Sequence, residues 1–244
     1  MGGKKMKKTK IDWIDCTENA VIGCKNGCEY CYARRINDRF GFVDKWSEPK
    51  FFEERLTHFK SKQPKSVFID SMSDIGCWEQ EWIDKTFTAI NANPQHNYVA
   101  LTKCPDWFMN LLGHANVGMV TNFYWGVSVT RQSEANKYGD IPCDFWSIEP
   151  ILEEITLPKY TDIKTIIIGA ETGNRQGKII PQKQWIDNLV KEADEKHIAV
   201  FMKESLHVIM GNDFRQDKLP WDVGKKIKNN CIKYYKTIDN TLIV

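Results

Sequence analysis

The sequence predicts an α/β protein built on a parallel β-sheet. Short apolar segments, rich in β-branched and aromatic residues, alternate along the chain with stretches of helical periodicity. The apolar segments are nearly continuous runs, as expected for parallel strands that are buried on both faces. Strands and helices that alternate in this way are typical of parallel α/β sheets.

Seven short segments are predicted as strands: residues 20–23, 66–70, 98–102, 124–129, 144–149, 164–169 and 199–203. Five stretches are predicted as helices: residues 29–40, 80–91, 106–112, 132–138 and 182–196. The connection of residues 150–162 is short and interrupted by proline, so no helix is predicted there.

Polar side chains are concentrated where the predicted strands end. In chain order they are Asp70, Ser71, Ser73, Asp74, Thr102, Lys103, Ser128, Thr130, Arg131, Ser147, Glu149, Glu171, Thr172, Lys203 and Glu204. In α/β barrels the functional groups gather at the C-terminal ends of the strands, which meet on one face. We therefore expect one ring of polar groups around one mouth.

Three closely spaced cysteines stand between the first predicted strand and the first predicted helix. Residues 23–33 read GCKNGCEYCYA, in which Cys24, Cys28 and Cys31 form a C-x3-C-x2-C pattern with Tyr30 directly before the last thiol. Thiolates are the usual ligands of iron–sulfur clusters, and a [4Fe-4S] cluster needs four of them to close every iron. Three thiolates leave one iron open to a small molecule.

A structural zinc site is the alternative for these thiols. Three cysteines and one further Cys or His would hold the ion tetrahedrally. Zinc sites usually show a second C-x2-C pair or a distant H-x3-H, and the sequence has neither downstream. The corresponding function would be a zinc-stabilised binding module without turnover.

Composition places the chain among ordinary globular proteins. It has 244 residues, of which 42% are hydrophobic and 27% charged, and we expect one domain over residues 1–244 with a flexible basic leader at residues 1–10. No apolar run approaches the ~20 residues of a membrane span, so we expect a cytoplasmic protein without a membrane partner. A net charge of +2 gives little reason to expect nucleic-acid binding.

The cysteines outside the motif occur singly. They are Cys16, Cys77, Cys104, Cys143 and Cys231, and no role is assigned to them. Eight cysteines without a secretory segment indicate a reducing compartment. Cys16 and Cys104 are expected near the active face.

The cysteine pattern resembles the C-x3-C-x-aromatic-C signature of the radical S-adenosylmethionine (SAM) superfamily. The resemblance implies a partial (β/α)6 TIM-like barrel of parallel strands, with six or seven β-α units, and a [4Fe-4S] cluster. It also implies that the amino and carboxylate groups of SAM chelate the open iron. A reductant such as flavodoxin or ferredoxin would drive cleavage of SAM to a 5′-deoxyadenosyl radical, which abstracts a substrate hydrogen.

The same resemblance implies which residues hold SAM. They are Tyr30, Ser71, Asp74, Lys103, Ser128, Arg131 and Gly169. The segment after the second strand would meet the SAM amino group, although Ser and Asp before a helix also serve as N-caps. Arg131 would pair with the SAM carboxylate, and Gly169 would let the adenine ring approach its strand.

Six segments carry the resemblance further: CYARRINDRF, SMSD, LTK, GVSVT, SIEP and GAETG. They are similar to a compact phage-associated radical SAM family and, within it, to the bacterial queuine lyases of queuosine salvage. That similarity implies cleavage of queuine to 7-aminomethyl-7-deazaguanine. Glu149, Glu171 and Lys203 would be catalytic and, with Asp70, would contact this small deazaguanine base.

The alternative within the superfamily is repair or modification of a nucleobase in DNA or RNA, as in its spore photoproduct lyase branch. Tight, salt-sensitive binding of a polynucleotide would accompany that function.

Overall fold

An eight-stranded sheet curls into a half-barrel in the computed structural model, which describes residues 6–114 and 120–223. Its strands are, in spatial order, β1 (Lys7–Lys8), β2 (Cys16–Thr17), β5 (Ser66–Phe68), β6 (Asn97–Thr102), β7 (Phe123–Ser128), β8 (Phe145–Ile148), β9 (Thr165–Ile168) and β10 (Ala199–Met202). β1 pairs antiparallel with β2, whereas the seven strands from β2 to β10 in this order are parallel to one another. The predicted partial TIM-like barrel is confirmed.

Helices connect most successive parallel strands. They are α1 (Tyr32–Phe40), α2 (Gln80–Asn91), α3 (Pro105–His114), α4 (Gln132–Tyr138), α5 (Lys183–Glu195) and α6 (His207–Met210). Short 3₁₀ segments occupy Glu53–Lys60, Ile75–Cys77, Glu204–Leu206 and Gly211–Asp213. Residues 150–162, all of them described, contain no helix, as the prolines predict.

Six of the predicted strands lie in the half-barrel; the first is a strand, as predicted, but it is not the first strand of the half-barrel. Residues 20–23 contain β3 (Val21–Ile22), which pairs antiparallel with β4 (Lys50–Phe51) outside the large sheet. The first parallel strand is instead β2, which pairs with β5. With two residues, β2 is too short to form an apolar run that the sequence could reveal.

Alternation along the strands separates an outer core from an inner one. In β9, Ile166 and Ile168 pack toward the helices, whereas Ile167 joins a separate cluster on the inner face of the curled sheet. Four aromatic residues dominate the inner cluster, and we call them the aromatic floor: Trp13, Phe68, Phe145 and Trp221. The Trp221 Nε1–H donates to the Trp13 carbonyl at 3.0 Å, which ties two distant segments together.

The same alternation, continued past the strand ends, determines which polar residues face inward. Asp70 follows Phe68 by two residues, and Glu149 follows Phe145 by four, so both share the face of the aromatic floor. The inner face of the half-barrel thus changes from aromatic to charged toward the C-terminal ends of the strands.

No helix within residues 6–114 and 120–223 is long and apolar enough to cross a membrane. Cys231 and the first half of the predicted leader lie outside the described residues.

Candidate functional site

A cavity of ≈ 1740 Å³ opens where the parallel strands end. It exceeds the ~300–1,000 Å³ of ordinary small-molecule sites, so it can hold a cofactor and a substrate together. Twelve of the fourteen site residues predicted from the sequence line it: Cys24, Cys28, Tyr30, Cys31, Asp70, Ser71, Asp74, Lys103, Ser128, Glu149, Glu171 and Lys203. Arg131 and Gly169 do not line it.

The cysteine loop begins at Gly23, where two chain segments approach closely. Gly23 has a φ of 110°, and a Cβ there would lie 2.8 Å from Pro49 Cα and from the Trp46 carbonyl oxygen. The next amide, that of Cys24, donates to the same Trp46 carbonyl at 2.8 Å. The Gly-Cys step therefore holds the loop against the segment before β4.

The three motif thiols lie in a setting that suits thiolate ligands. Cys31 caps the N-terminus of α1, where its Sγ accepts the Arg34 N–H at 3.3 Å. Cys24 Sγ accepts the Asn26 N–H at 3.5 Å. Hydrogen bonds to sulfur are one of the means by which proteins tune iron–sulfur clusters. Cys28 is close enough to Cys24 and Cys31 for their charges to affect its pKa, which burial raises.

Two further thiols stand beside Cys24. Cys77 Sγ lies 3.8 Å from Cys104 Sγ, and the ligand atoms of Cys24, Asp74 and Cys77 all lie within 4.8 Å of one another. Both additional thiols also contact Asn26 Oδ1, at 3.4 Å and 3.3 Å. The sequence assigned Cys77 no role, because nothing in its spacing relates it to the motif.

The other single cysteines are packing groups. Cys16 is fully buried in the outer core, with its Sγ 3.9 Å from Met6 Sδ, so the expectation that it lies near the active face is wrong. Burial raises the pKa of Cys16 to about 11 and that of Cys143 to about 12. Cys104, by contrast, lies next to the cysteine loop through Asn26, as expected.

Asp74 is an organising residue for the loops around the cysteines. Its Oδ1 accepts the Gly76 N–H at 3.0 Å and the Thr102 hydroxyl at 2.6 Å. Its Oδ2 accepts the Lys103 N–H at 2.9 Å and an Asn26 side-chain N–H at 2.5 Å. Burial raises its pKa. Asp74 is the N-cap of the 3₁₀ segment Ile75–Cys77, as the N-cap alternative predicts, and its contact with SAM stays a prediction.

Asp70 and Ser71 are also held by backbone and side-chain contacts. The Asp70 carboxylate accepts the N–H groups of Ile75 and Leu101 at 3.1–3.2 Å. Burial, and then the charge of Asp74, raise the Asp70 pKa well above its usual value. Ser71 exchanges hydrogen bonds with the Asn19 side chain at 3.0–3.1 Å.

Lys103 is a buried cation at the cysteine loop. Its Nζ has no hydrogen-bond partner within the described part of the chain and lies 5.5 Å from the centre of the Tyr30 ring. Burial lowers the pKa of Lys103, but the neighbouring Tyr30 and Cys28 outweigh it, so the net direction is upward. A buried ammonium that forms no ion pair with a carboxylate of the described residues suits an anionic ligand group.

Glu149 and Lys203 form an ion pair inside the cavity. Their side chains are 25% and 16% exposed. Gly169 lies beneath them, because a Cβ at this position would stand 3.0 Å from Glu149 Cγ and 3.1 Å from Lys203 Cδ. The glycine thus makes room for the pair, and its predicted contact with adenine stays a prediction.

Glu171 is held by an arginine that the sequence did not single out. Arg175 donates Nε–H and Nη2–H to the two carboxylate oxygens at 2.7 and 2.8 Å, and this contact lowers the pKa of Glu171. The i, i+4 spacing lies in a loop, where no helical pattern indicates it.

Arg131, predicted to bind the SAM carboxylate, does not line the cavity. Its side chain is half exposed, and Nη1 pairs with Glu153 at 3.1 Å outside the cavity lining. The arginine directly precedes α4, whose first turn it leads into.

One cavity wall was missed because the first barrel strand was misplaced. Glu18 and Asn19 follow β2 directly and line the cavity. Glu18 is buried, and its Oε2 lies 2.6 Å from His58 Nδ1. Polar residues directly after the correct strand would have revealed this wall.

A family model described as "Protein of unknown function (DUF5131)" matches residues 8–228. No curated protein matches the chain.

Among solved structures the chain is similar to spore photoproduct lyase. A cysteine-to-alanine mutant with dinucleoside spore photoproduct has a TM-score of 0.54 and 12% identity, over 82% of this chain and 79% of that chain. The same mutant in another structure gives 0.53 and 12% over the same shares. A tyrosine-to-phenylalanine mutant gives 0.53 and 11%, over 80% and 78%. Similarity at this level of identity shows a common fold.

Proposed function

Because this chain belongs to the DUF5131 family, whose description names no activity, we propose a function from its site: a radical SAM enzyme that repairs or modifies a nucleobase in DNA or RNA. The observation that carries the proposal is the three-thiol loop at the mouth of a parallel half-barrel with a cavity of ≈ 1740 Å³. The similarity in fold to spore photoproduct lyase supports it.

Cys24, Cys28 and Cys31 would hold a [4Fe-4S] cluster. The N–H···S bonds from Asn26 and Arg34 fit thiolate ligands, since they stabilise negative charge on sulfur. When bound, the cluster and SAM would supply the 5′-deoxyadenosyl radical that abstracts a hydrogen from the substrate. A one-electron donor such as flavodoxin or ferredoxin would serve as the reductant.

The chain's own residues would position SAM. Lys103 offers a buried positive charge for the SAM carboxylate, and Tyr30 and Ser128 line the same cavity. Ser71, whose hydroxyl is held by the Asn19 side chain, would also contact SAM. Asp74 would act by holding Lys103 and Asn26 in position, because its oxygens are occupied. Arg131 is left out of the set, since it lies outside the cavity lining.

The rim of the cavity supports a substrate within a polynucleotide. Tyr32, Ile36 and Phe42 are exposed on or directly after α1 and also line the cavity. Next to them, Arg39 lies 5.1 Å from the centre of the exposed Phe40 ring. Exposed aromatic rings stack on unpaired bases, and arginines contact phosphates, so this surface suits a strand that delivers one base into the cavity.

Cleavage of free queuine to 7-aminomethyl-7-deazaguanine is the second candidate, favoured by the carboxylates that line the cavity. Glu149 or Glu171 would accept the N1–H and amine of the deazaguanine ring. Each is paired with a cation, Lys203 or Arg175, so the base would have to share the carboxylate with that cation. Lys203 and Asp70 would then contact the remaining groups of the substrate.

The first experiment tests the cofactors. The protein is reconstituted anaerobically with iron and sulfide, and its iron content, visible absorption and electron paramagnetic resonance spectrum are recorded with and without SAM. We expect about four irons per chain and a spectrum that changes when SAM is added. C28A should lose the cluster, whereas the matched variant C143A, altered at a core cysteine, should keep it. One tightly held zinc, with indifference to SAM, would favour the binding module instead.

The second experiment identifies the substrate. SAM, dithionite and either dinucleoside spore photoproduct or queuine are added to the reconstituted protein, and products are identified by mass spectrometry. A repaired dinucleoside that forms only when SAM and reductant are present supports the first candidate, and 7-aminomethyl-7-deazaguanine supports the second. If the cluster forms but neither a SAM-dependent product nor 5′-deoxyadenosine appears under any condition, the radical mechanism is wrong.

A further inference from the structure

The inner wall of the cavity contains buried polar groups that none of the roles above uses. Asp12 and Trp13 precede β2 and line the cavity, and Ser147 lines it from β8. Trp13 and Ser147 are 2% and 1% exposed. Asp12 and Trp13 lie outside every motif of the sequence, and Ser147 begins the SIEP segment without a role assigned to it there.

Each of the three residues has a buried polar atom without a hydrogen-bond partner in the described residues. The atoms are Trp13 Nε1, Asp12 Oδ1 and Ser147 Oγ. An indole N–H only donates, a carboxylate oxygen only accepts, and a hydroxyl does both. Because buried polar groups are nearly always paired, three unpaired ones on the wall of one cavity point to a ligand that pairs with them.

Asp12 is positioned by its other oxygen. Asp12 Oδ2 accepts the Glu204 N–H at 2.8 Å, directly after Lys203. The contact connects the segment before β2 to the end of β10 and leaves Oδ1 unengaged. The unpaired oxygen is therefore held in place by the fold, and Asp12, Glu149 and Lys203 all line the cavity.

The neighbouring surface is aromatic, with rings inclined to one another by 49–56°. The ring centre of Phe68 lies 4.8 Å from that of Trp13, and the ring of Phe145 lies 6.3 Å from it. Ser147 shares the inner face of its strand with Phe145, because they are two residues apart. Phe68 and Leu101 also line the cavity. Aromatic walls beside a polar edge suit a planar heterocycle.

We propose that Asp12, Trp13 and Ser147 form the base-recognition edge of the cavity, which binds a planar heterocycle that carries both hydrogen-bond donors and acceptors. The inference rests on the proposed function and specifies its substrate class, a nucleobase or deazapurine. Trp13 Nε1–H donates to an acceptor on the ring, Asp12 Oδ1 accepts from a ring N–H or amine, and Ser147 completes the edge. The Glu149–Lys203 pair borders the same ligand.

The test combines binding with stability. Ser147→Ala removes a buried hydroxyl that has no partner in the free protein, so its melting temperature should equal or exceed that of the wild type. Its affinity for the ligand should nevertheless fall about tenfold, the loss expected for one buried hydrogen bond. A residue with a purely structural role would not change these two quantities in opposite directions.

Trp13→Phe keeps an aromatic ring and removes the N–H, and it should also weaken binding about tenfold. Matched controls are Ser133→Ala on the exposed surface of α4 and Trp107→Phe, whose side chain is 56% exposed. The probes are queuine, guanine, thymidine and dinucleoside spore photoproduct. Binding is measured by saturation-transfer NMR and calorimetry on the full chain, with and without the reconstituted cluster.

The outcomes separate this inference from the proposed function. If a probe binds and both variants weaken it while both controls do not, the recognition edge is supported, even where no SAM cleavage is seen. If no heterocycle binds, or if both variants bind the probes as the controls do, the inference is wrong. The cofactor experiment is independent of this result, because it measures iron content and the response to SAM at the cysteine loop.

Discussion

Cys77 Sγ lies 3.8 Å from Cys104 Sγ, and both thiols contact the Asn26 side-chain oxygen beside Cys24. Cys24 therefore belongs to two donor sets: the three-thiol loop, and the group that it forms with Asp74 and Cys77. Zinc accepts thiolate and carboxylate ligands in tetrahedral sites. The second set is thus a site that zinc can occupy in competition with the cluster that we propose for the three-thiol loop.

The first prediction concerns that competition. When the protein is prepared aerobically with zinc, Cys77→Ser should lower the zinc content at least severalfold, because it removes a thiolate ligand of the second set. After anaerobic reconstitution the same variant should hold as much iron as the wild type. Metal content by mass spectrometry measures both. If Cys77→Ser holds as much zinc as the wild type, or if it loses iron, Cys24 does not belong to two separate donor sets. Cys143→Ala is the control for a general effect of replacing a cysteine.

The second prediction uses the Glu171–Arg175 pair. Arg175 holds the pKa of Glu171 below its usual value, so the folded state binds this proton less tightly than the unfolded state. Stabilisation by the pair is complete above the unfolded pKa of about 4.3 and is lost as the pH falls through the folded pKa. Glu171→Gln should lower the free energy of unfolding by about 1–3 kcal/mol at pH 7, and the difference should shrink below pH 4.

Urea unfolding at both pH values measures this effect. Glu48→Gln is the control, because Glu48 pairs with Lys45 where both side chains are 66% exposed. Exposed pairs contribute little to stability, so this variant should differ little from the wild type at either pH. A Glu171→Gln deficit that is the same at pH 7 and below pH 4 would show that the carboxylate charge is not its source.

The strands that could be predicted are those that are buried on both faces. β5 to β10 are apolar runs between polar ends, and their burial follows from composition alone. β2 could not be recognised in this way, because its pairing with β5 is a tertiary contact of two residues. The misplacement of that one strand is why Glu18 and His58 were not found.

The site shows a similar division between local and tertiary information. Period-two alternation past the strand ends places Asp70, Glu149 and Lys203 on the inner face, and the sequence contains that information. The convergence of Cys77 and Cys104 on Asn26 depends on how three loops pack against one another, which no spacing encodes.

The third prediction concerns the packing of the aromatic floor. A Cβ at Gly126 would lie 2.6–2.7 Å from three ring atoms of Phe145 on the neighbouring strand, so Gly126→Ala should displace that ring. Overpacking of this kind costs about 1–3 kcal/mol, which urea unfolding would detect. Gly139→Ala is the comparison, since its nearest contacts of 3.1–3.3 Å need a smaller adjustment. A Gly126→Ala protein as stable as the wild type would mean that the floor can rearrange without cost.

The fourth prediction concerns Lys103, the buried cation without a partner in the described residues. If its ammonium pairs with the SAM carboxylate, Lys103→Met should weaken SAM binding about tenfold or more, because a charge-assisted hydrogen bond is lost from a buried site. The cysteine ligands are unchanged, so iron content after reconstitution should stay at the wild-type level. Equilibrium dialysis with labelled SAM measures the affinity.

Lys137→Met is the matched control for Lys103→Met, because Lys137 is exposed on α4 and lies outside the cavity lining. The control should bind SAM as the wild type does. A second variant tests whether the positive charge of Lys103 is what matters. Lys103→Arg keeps that charge and should retain more affinity for SAM than Lys103→Met. If the two Lys103 variants bind SAM equally and as tightly as Lys137→Met, the buried ammonium does not hold the carboxylate, and Lys103 would then act only through its charge on the neighbouring Cys28.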